Sequence, residues 1–271
     1  MRMRSSNPVL TRAFPTQGAG YAPGGYSPGY APPGTEPGWA PPGYQTADRL
    51  TIDDVVIHTA GLLALVMGVA AVTWIAVPLE VSLGLAMPAA LIALGIVLWT
   101  SFKRRGHVSP AIAISYAVVE GVFLGAISKA YNEAFGGGIV MQALVATAAV
   151  FFGMLALYQA RIIRATPKMR KFLYVAMMGI FLTYMASFVM RLFGAEMPLL
   201  NDNSGLGILV SLAIVGVAAF MLILDFDQVE TAIASGAPRE FAWTAAFGLL
   251  VTIIWLYLEL LRLLAKLQSR D

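Results

Sequence analysis

Three carboxylates stand inside or directly beside long apolar runs, and chemistry in this sequence would reside there: Glu120, Asp225 and Glu259. Glu120 lies ten residues into an apolar segment that begins at Pro110. At the helical rise that is about 15 Å, near the middle of a bilayer. An ionisable group at that depth is costly and needs a partner or a cavity. Ala113 and Ala117 share its helical face, and Gly121 and Gly125 lie beside it, so another helix can approach closely. Glu120 then reads as a titratable group or cation ligand inside a bundle, or as a protonated side chain that hydrogen-bonds a neighbouring helix. Asp225 follows directly on the apolar run Met221–Leu224, at the end of another segment. Gln228 follows at i+3, so both are expected to face inward, while Asp227 and Glu230 meet water on a solvated helix end. Lys103, Arg104 and Arg105 end a different apolar segment on the same side. One of them can pair with Asp225, and opening such a pair is a simple gate. Glu259 has Arg262 at i+3, which predicts a local ion pair with a snorkelling arginine. Thr252, near the middle of the same segment, offers a hydroxyl to a backbone carbonyl or a cation. His58 lies one turn past Asp53 and Asp54, as an interfacial histidine at a capped helix start; pH sensing is the other reading.

Other chemistries are absent. The sequence has no Cys, which removes disulfides, thiolate metal sites and cysteine nucleophiles. His58 and His107 are its two histidines, too few for a His-rich metal site. H-E-x-x-H, G-x-S-x-G and G-x-x-x-x-G-K-[ST] do not occur. No catalytic residue and no cofactor are expected, and the chain is read as a non-enzyme.

The elements that must hold these side chains are membrane helices. Of 271 residues, 58% are hydrophobic and 12% charged, against roughly 25% charged in soluble domains. Residues 1–49 form a Gly/Pro/Tyr-rich tail without apolar periodicity, read as a disordered cytoplasmic spacer. Residues 50–271 are read as an all-α domain of seven transmembrane helices. Apolar runs of about 20 residues, the length that crosses a bilayer, occupy 55–77, 82–102, 110–131, 139–160, 172–193, 205–224 and 241–264. The sixth helix is expected to outlast its apolar run, since DFDQVETAIAS stays helix-compatible until Gly236 and Pro238. Trp74, Trp99, Trp255 and Tyr257 are placed toward span ends as interfacial aromatics.

Basic residues give the orientation. Thirteen of the eighteen fall on one side: in the tail, at 103–105, at 161–171 and at Arg239. The positive-inside rule puts that side, and the N-terminus, in the cytoplasm. The basic balance therefore reflects topology and lipid contact, with no nucleic-acid partner. Seven crossings place the C-terminus outside. Arg262, Lys266 and Arg270 oppose that, leaving a seventh segment that does not cross as the alternative.

The chain resembles the Bax inhibitor family, the transmembrane Bax inhibitor motif proteins, and most closely their bacterial YccA-like branch. The resemblance rests on seven spans, the RRGHVSP run at 104–110, Glu120-Gly121 with Gly125, Asp225-Phe226-Asp227-Gln228, and LYLELLRLL at 256–264. It covers about residues 50–267, and the NPVL segment at 7–10 resembles an actinobacterial-type subgroup. It implies a bundle whose last helix is central, in a bacterial plasma membrane, and a pH-sensitive calcium leak controlled by two aspartates. One of them maps onto Asp225 in its D-x-x-Q context, paired with a basic residue that maps onto Lys103 or its neighbours. The other lies ten positions before the arginine of an LLR segment, where this sequence has Thr252. Two carboxylates sharing a proton are thereby lost, unless Glu120 supplies the second from another helix.

Two functions stay open. One is a cation leak, with transient calcium at Asp225 and Glu120, where acids replace water around a hard cation. The other, which other YccA-like proteins suggest, is a regulator of membrane-protein quality control or of a membrane protease.

Overall fold

The computed structural model describes residues 49–103, 107–194 and 204–269, apart from the side chains of Lys103 and Leu192. The tail reading, Arg104 and Arg105 therefore lie outside the described residues. Seven helices long and apolar enough to cross a membrane occupy the rest. They are α1 (Ile52–Ala76), α2 (Leu79–Lys103), α3 (Pro110–Phe135), α4 (Ile139–Gln159), α5 (Pro167–Leu192), α6 (Gly205–Ala234) and α7 (Phe241–Gln268). The near end of the bundle is where α1, α3, α5 and α7 begin; the far end is where α2, α4 and α6 begin.

Local chemistry sets the boundaries. Thr51 and Asp54 close a capping box at the start of α1, with Thr51 N–H donating to Asp54 Oδ2 and Asp54 N–H to Thr51 Oγ1, both at 3.2 Å. Thr166 caps α5, whose first residue is Pro167, a position where the missing N–H costs nothing. The sixth helix does outlast its apolar run: α6 has 30 residues and ends at Ala234. Gly236, at φ +71°, then lets Ala237 N–H reach back to the Ala232 carbonyl at 3.0 Å. Arg161, at φ +58°, makes the same kind of turn after α4 without the freedom of glycine.

The last helix is central. Buried residues lie all around α7, from Ala242 to Lys266, and α1, α3, α4 and α6 pack on it. On one side Phe247, Leu250, Ile254 and Tyr257 meet Leu62 and Val66 of α1 and Ala117 and Leu124 of α3. On the other side Leu249, Ile253, Leu256 and Leu260 meet Met154 of α4 and Ala218, Leu222 and Phe226 of α6. Helix α2 lies outside, against α3, and α5 lies outside, against α6. The outer faces carry exposed Phe172, Val175, Met178 and Leu182 on α5 and Leu85, Leu91 and Ile92 on α2, as a lipid-facing surface requires.

Helices α1 and α3 are the tightest pair. A Cβ on Gly121 would stand 2.7 Å from Val69 Cβ, and one on Gly125 would stand 2.5 Å from the Ala70 carbonyl oxygen. Only glycine permits that approach.

Candidate functional site

Asp225 is deeper than the end of its apolar run suggests. It lies nine residues before the end of α6 at Ala234, a rise of about 14 Å. Thr252 lies eleven residues after the start of α7 at Phe241, about 16 Å from the same end. The two therefore stand at about the same level. The Thr252 hydroxyl donates to the Gly248 carbonyl oxygen of its own helix at 3.3 Å. Asp225 Oδ2 is enclosed and has no hydrogen-bond partner. Met221 and Leu224, on the turn before Asp225, form an apolar cluster with Leu173 of α5 and Trp255 of α7.

Glu120 stands at the same depth on another side of α7. It is 6% exposed and lies ten residues into α3. Its carboxyl makes no hydrogen bond among the described residues, and Tyr116 stands one turn earlier on the same helix. Helix α3 reaches α7 through the Tyr116 and Phe247 rings, 5.0 Å apart, and through a 2.7 Å bond between the Ser128 and Tyr257 hydroxyls.

The rest of the acidic end of α6 is arranged differently from the sequence expectation. Gln228 is exposed and does not accompany Asp225 inward. Phe226 and Val229 take the packed side against α4 and α7, which turns Gln228 away. Asp227 forms an ion pair with Arg170 of α5, and Glu230 accepts a hydrogen bond from Tyr158 of α4. These two acids thus bind neighbouring helices. The expected basic partner of Asp225 falls on Arg104, Arg105 and the side chain of Lys103, outside the described residues.

Toward the far end, Glu259 is 2% exposed and held by three groups. Tyr184 of α5 donates to its Oε1 at 2.6 Å, Trp255 Nε1–H donates to the same oxygen at 3.1 Å, and Arg262 reaches Oε2 at 3.4 Å. Arg262 also donates to the Tyr184 hydroxyl at 2.5 Å, and its guanidinium lies over the Tyr184 ring. The expected i+3 pair is there, inside a buried network instead of at an interface. Trp255 and Tyr257 sit mid-helix, because α7 runs on to Gln268. Their polar atoms bind Glu259 and Ser128 instead of interfacial water. Lys266 is buried and donates to the Gly207 carbonyl at 3.2 Å. Lys129 caps the end of α1 through the Trp74 and Val77 carbonyls, at 3.1 and 2.8 Å. Sequence reasoning missed Tyr184 and Lys129, whose partners lie 75 and more than 50 positions away and leave no local signal.

At the near end, Arg239 Nε–H donates to Asp54 Oδ1 at 2.9 Å, and Leu50 N–H donates to the Ala237 carbonyl at 2.9 Å. The segment before α1 is thereby tied to the turn between α6 and α7. His58 Nδ1 lies 2.6 Å from the Asp54 carbonyl oxygen, and its ring meets Trp243 edge-on at 4.5 Å.

A central last helix is the arrangement that the resemblance implies. A family model described as Bax inhibitor 1 like matches residues 7–269. The chain belongs to that family. With its seven apolar helices it is a multi-pass integral membrane protein in contact with the lipid bilayer. It is also similar to an uncharacterized protein of Chlamydia muridarum (strain MoPn / Nigg), 36% identical over 87 residues. That match spans 32% of this chain and 36% of the chlamydial protein, so this chain covers about a third of its relative's length.

Proposed function

We propose that the chain is a passive, non-catalytic cation leak with Asp225 as its control point. The observation that carries this reading is the enclosed, unpartnered Oδ2 of Asp225, nine residues inside α6, the helix that packs on the central one. A carboxyl in that position has two states. Protonated, it is neutral and leaves the centre of the bundle without a charge. Ionised, it attracts a cation to a place where water is scarce. Calcium is the ion that the family resemblance implies, and Glu120 adds a second mid-depth acid. On this reading the near end and the N-terminus face the cytoplasm, which the excess of basic residues on that side supports, and the membrane is the bacterial plasma membrane that the resemblance implies.

Purified full-length protein in proteoliposomes tests this reading. Cation-sensitive dyes should report efflux well above protein-free vesicles, rising as pH rises. Vesicles as tight as the protein-free ones at every pH, toward sodium, potassium and calcium, would overturn it. The second reading, a regulator of membrane-protein quality control or of a membrane protease, draws on Thr252 standing where the family has its second aspartate.

A further inference from the structure

We propose that the elbow between α4 and α5, residues 161–171, binds the headgroup of an anionic phospholipid, with Arg161, Arg164, Lys168 and Lys171 facing its phosphate. This site is independent of the leak reading.

The elbow reads RIIRATPKMRK, five bases in eleven residues without an acid. The core holds its backbone in place. Ile163, Ala165 and Met169 pack against the cluster that α4, α6 and α7 share, and the Thr166 hydroxyl accepts from Met169 N–H at 3.2 Å. Between these inward residues, Arg161, Arg164, Lys168 and Lys171 are exposed. Among the described residues none of the four side chains forms an ion pair. The acids that α6 brings to this end are already engaged or enclosed. Asp227 pairs with Arg170, the fifth base, and Glu230 accepts from Tyr158. Asp225 keeps its unpartnered oxygen enclosed. Even with all three ionised, the bases of the elbow outnumber them. Asp53, Asp54 and Glu240 belong to the starts of α1 and α7, whereas α5 packs on α6, and Asp54 is taken by Arg239.

Helix polarity strengthens the demand for an anion. Helix α1 opens with Asp53 and Asp54, acids that suit the positive end of a helix. Helix α5 opens with no acid and carries Lys168, Arg170 and Lys171 there, so its cations add to that positive end. A phosphate at this point is favoured by the helix and by the side chains together. Arg161 adds a second sign. At φ +58° it holds a left-handed turn that glycine would make without strain. The turn alone does not call for a base there.

Position favours a lipid over a soluble anion. Helix α5 lies on the outside of the bundle, and Ile162 and Phe172, at the two ends of the elbow, are 71% and 66% exposed. These apolar side chains can enter the acyl boundary while the bases stay at headgroup level. The positive-inside rule accounts for the sign of this loop, but not for its acid-free helix start, its apolar flanks or the arginine at positive φ.

The test places purified full-length protein in nanodiscs of phosphatidylcholine alone or mixed with phosphatidylglycerol, and reads retained lipid by native mass spectrometry and the melting temperature. Phosphatidylglycerol should be retained over phosphatidylcholine by about tenfold or more, and the preference should fall with added salt. The triple variant Arg161→Gln, Arg164→Gln and Lys168→Gln leaves the Arg170 pair intact. It should lose most of that preference while melting as wild type does in phosphatidylcholine, and Lys168→Gln alone should lose a few-fold. The control variant Arg2→Gln, Arg4→Gln and Arg12→Gln removes as many charges from the tail and should keep the preference. No preference in the wild-type protein overturns the inference and leaves an acidic protein partner as the reading of the patch. Equal losses in the two triple variants also overturn it, because charge count and not the elbow would then set the preference. So does inorganic phosphate that stabilises the protein in phosphatidylcholine as much as phosphatidylglycerol does.

Discussion

At the scale of single residues, the buried Glu120 and the half-buried Asp225 are two acids at one depth with different surroundings. Asp225 keeps one enclosed oxygen unpartnered. Glu120 is enclosed among Tyr116 and the small residues of α3. Glu120→Gln preserves its shape and its capacity to hydrogen-bond, so the fold should persist. Protonation removes charge from either acid, so leak should fall as pH falls. In Glu120→Gln the pH response should narrow to the contribution of Asp225, and the double variant Glu120→Gln with Asp225→Asn should be flat across pH 5–9. A flux–pH profile of the double variant that matches wild type would remove both acids from the path. Both acids were legible in the sequence, because a carboxylate in an apolar run stands out against its background. Their surroundings were not. Asp225 and Thr252 lie on separate helices, and only the folded hairpin of α6 and α7 brings them to one level. Gln228 misled for a related reason: i+3 spacing places it near Asp225 on the helix surface, but the packing edge at Phe226 and Val229 falls between them.

At the scale of elements, the seven helices follow from apolar length alone, and their crowding follows from glycine. Gly125→Val would drive a branched side chain into the Ala70 carbonyl and Thr73. It should cost about 1–3 kcal/mol or more, as overpacking does, seen as a lower melting temperature in detergent. Gly153→Ala on α4 meets open space and should be neutral or mildly stabilising in the same assay. Equal losses from the two would place the α1–α3 contact elsewhere. Helix α5 depends on polar bonds instead. Tyr184→Phe removes the donor to Glu259 and an acceptor for Arg262. With both charges left short of a partner, it should cost about 1–3 kcal/mol and raise proteolysis of the loop at 161–166. An unchanged digestion pattern would mean that α5 is held by its apolar contacts with α6. Which face of each helix turns inward was poorly legible, because lipid-facing side chains are as apolar as core ones and leave little amphipathic contrast. Glycine spacing in α3 was the exception.

At the scale of the whole molecule, seven apolar helices and an uneven distribution of basic residues lead to an expected topology. A reporter fused after residue 49 should read cytoplasmic and one after residue 271 external. A cytoplasmic C-terminal reporter would contradict seven crossings. The most direct test of the account as a whole is cation efflux from proteoliposomes that contain either wild-type protein or Asp225→Asn, measured from pH 5 to pH 9. Asparagine keeps the size but cannot ionise. The account predicts a wild-type leak that grows with pH and an Asp225→Asn leak that is many-fold smaller at high pH and keeps only the Glu120 part of the pH response. Equal leaks at every pH, from two proteins with the same melting temperature, would contradict it.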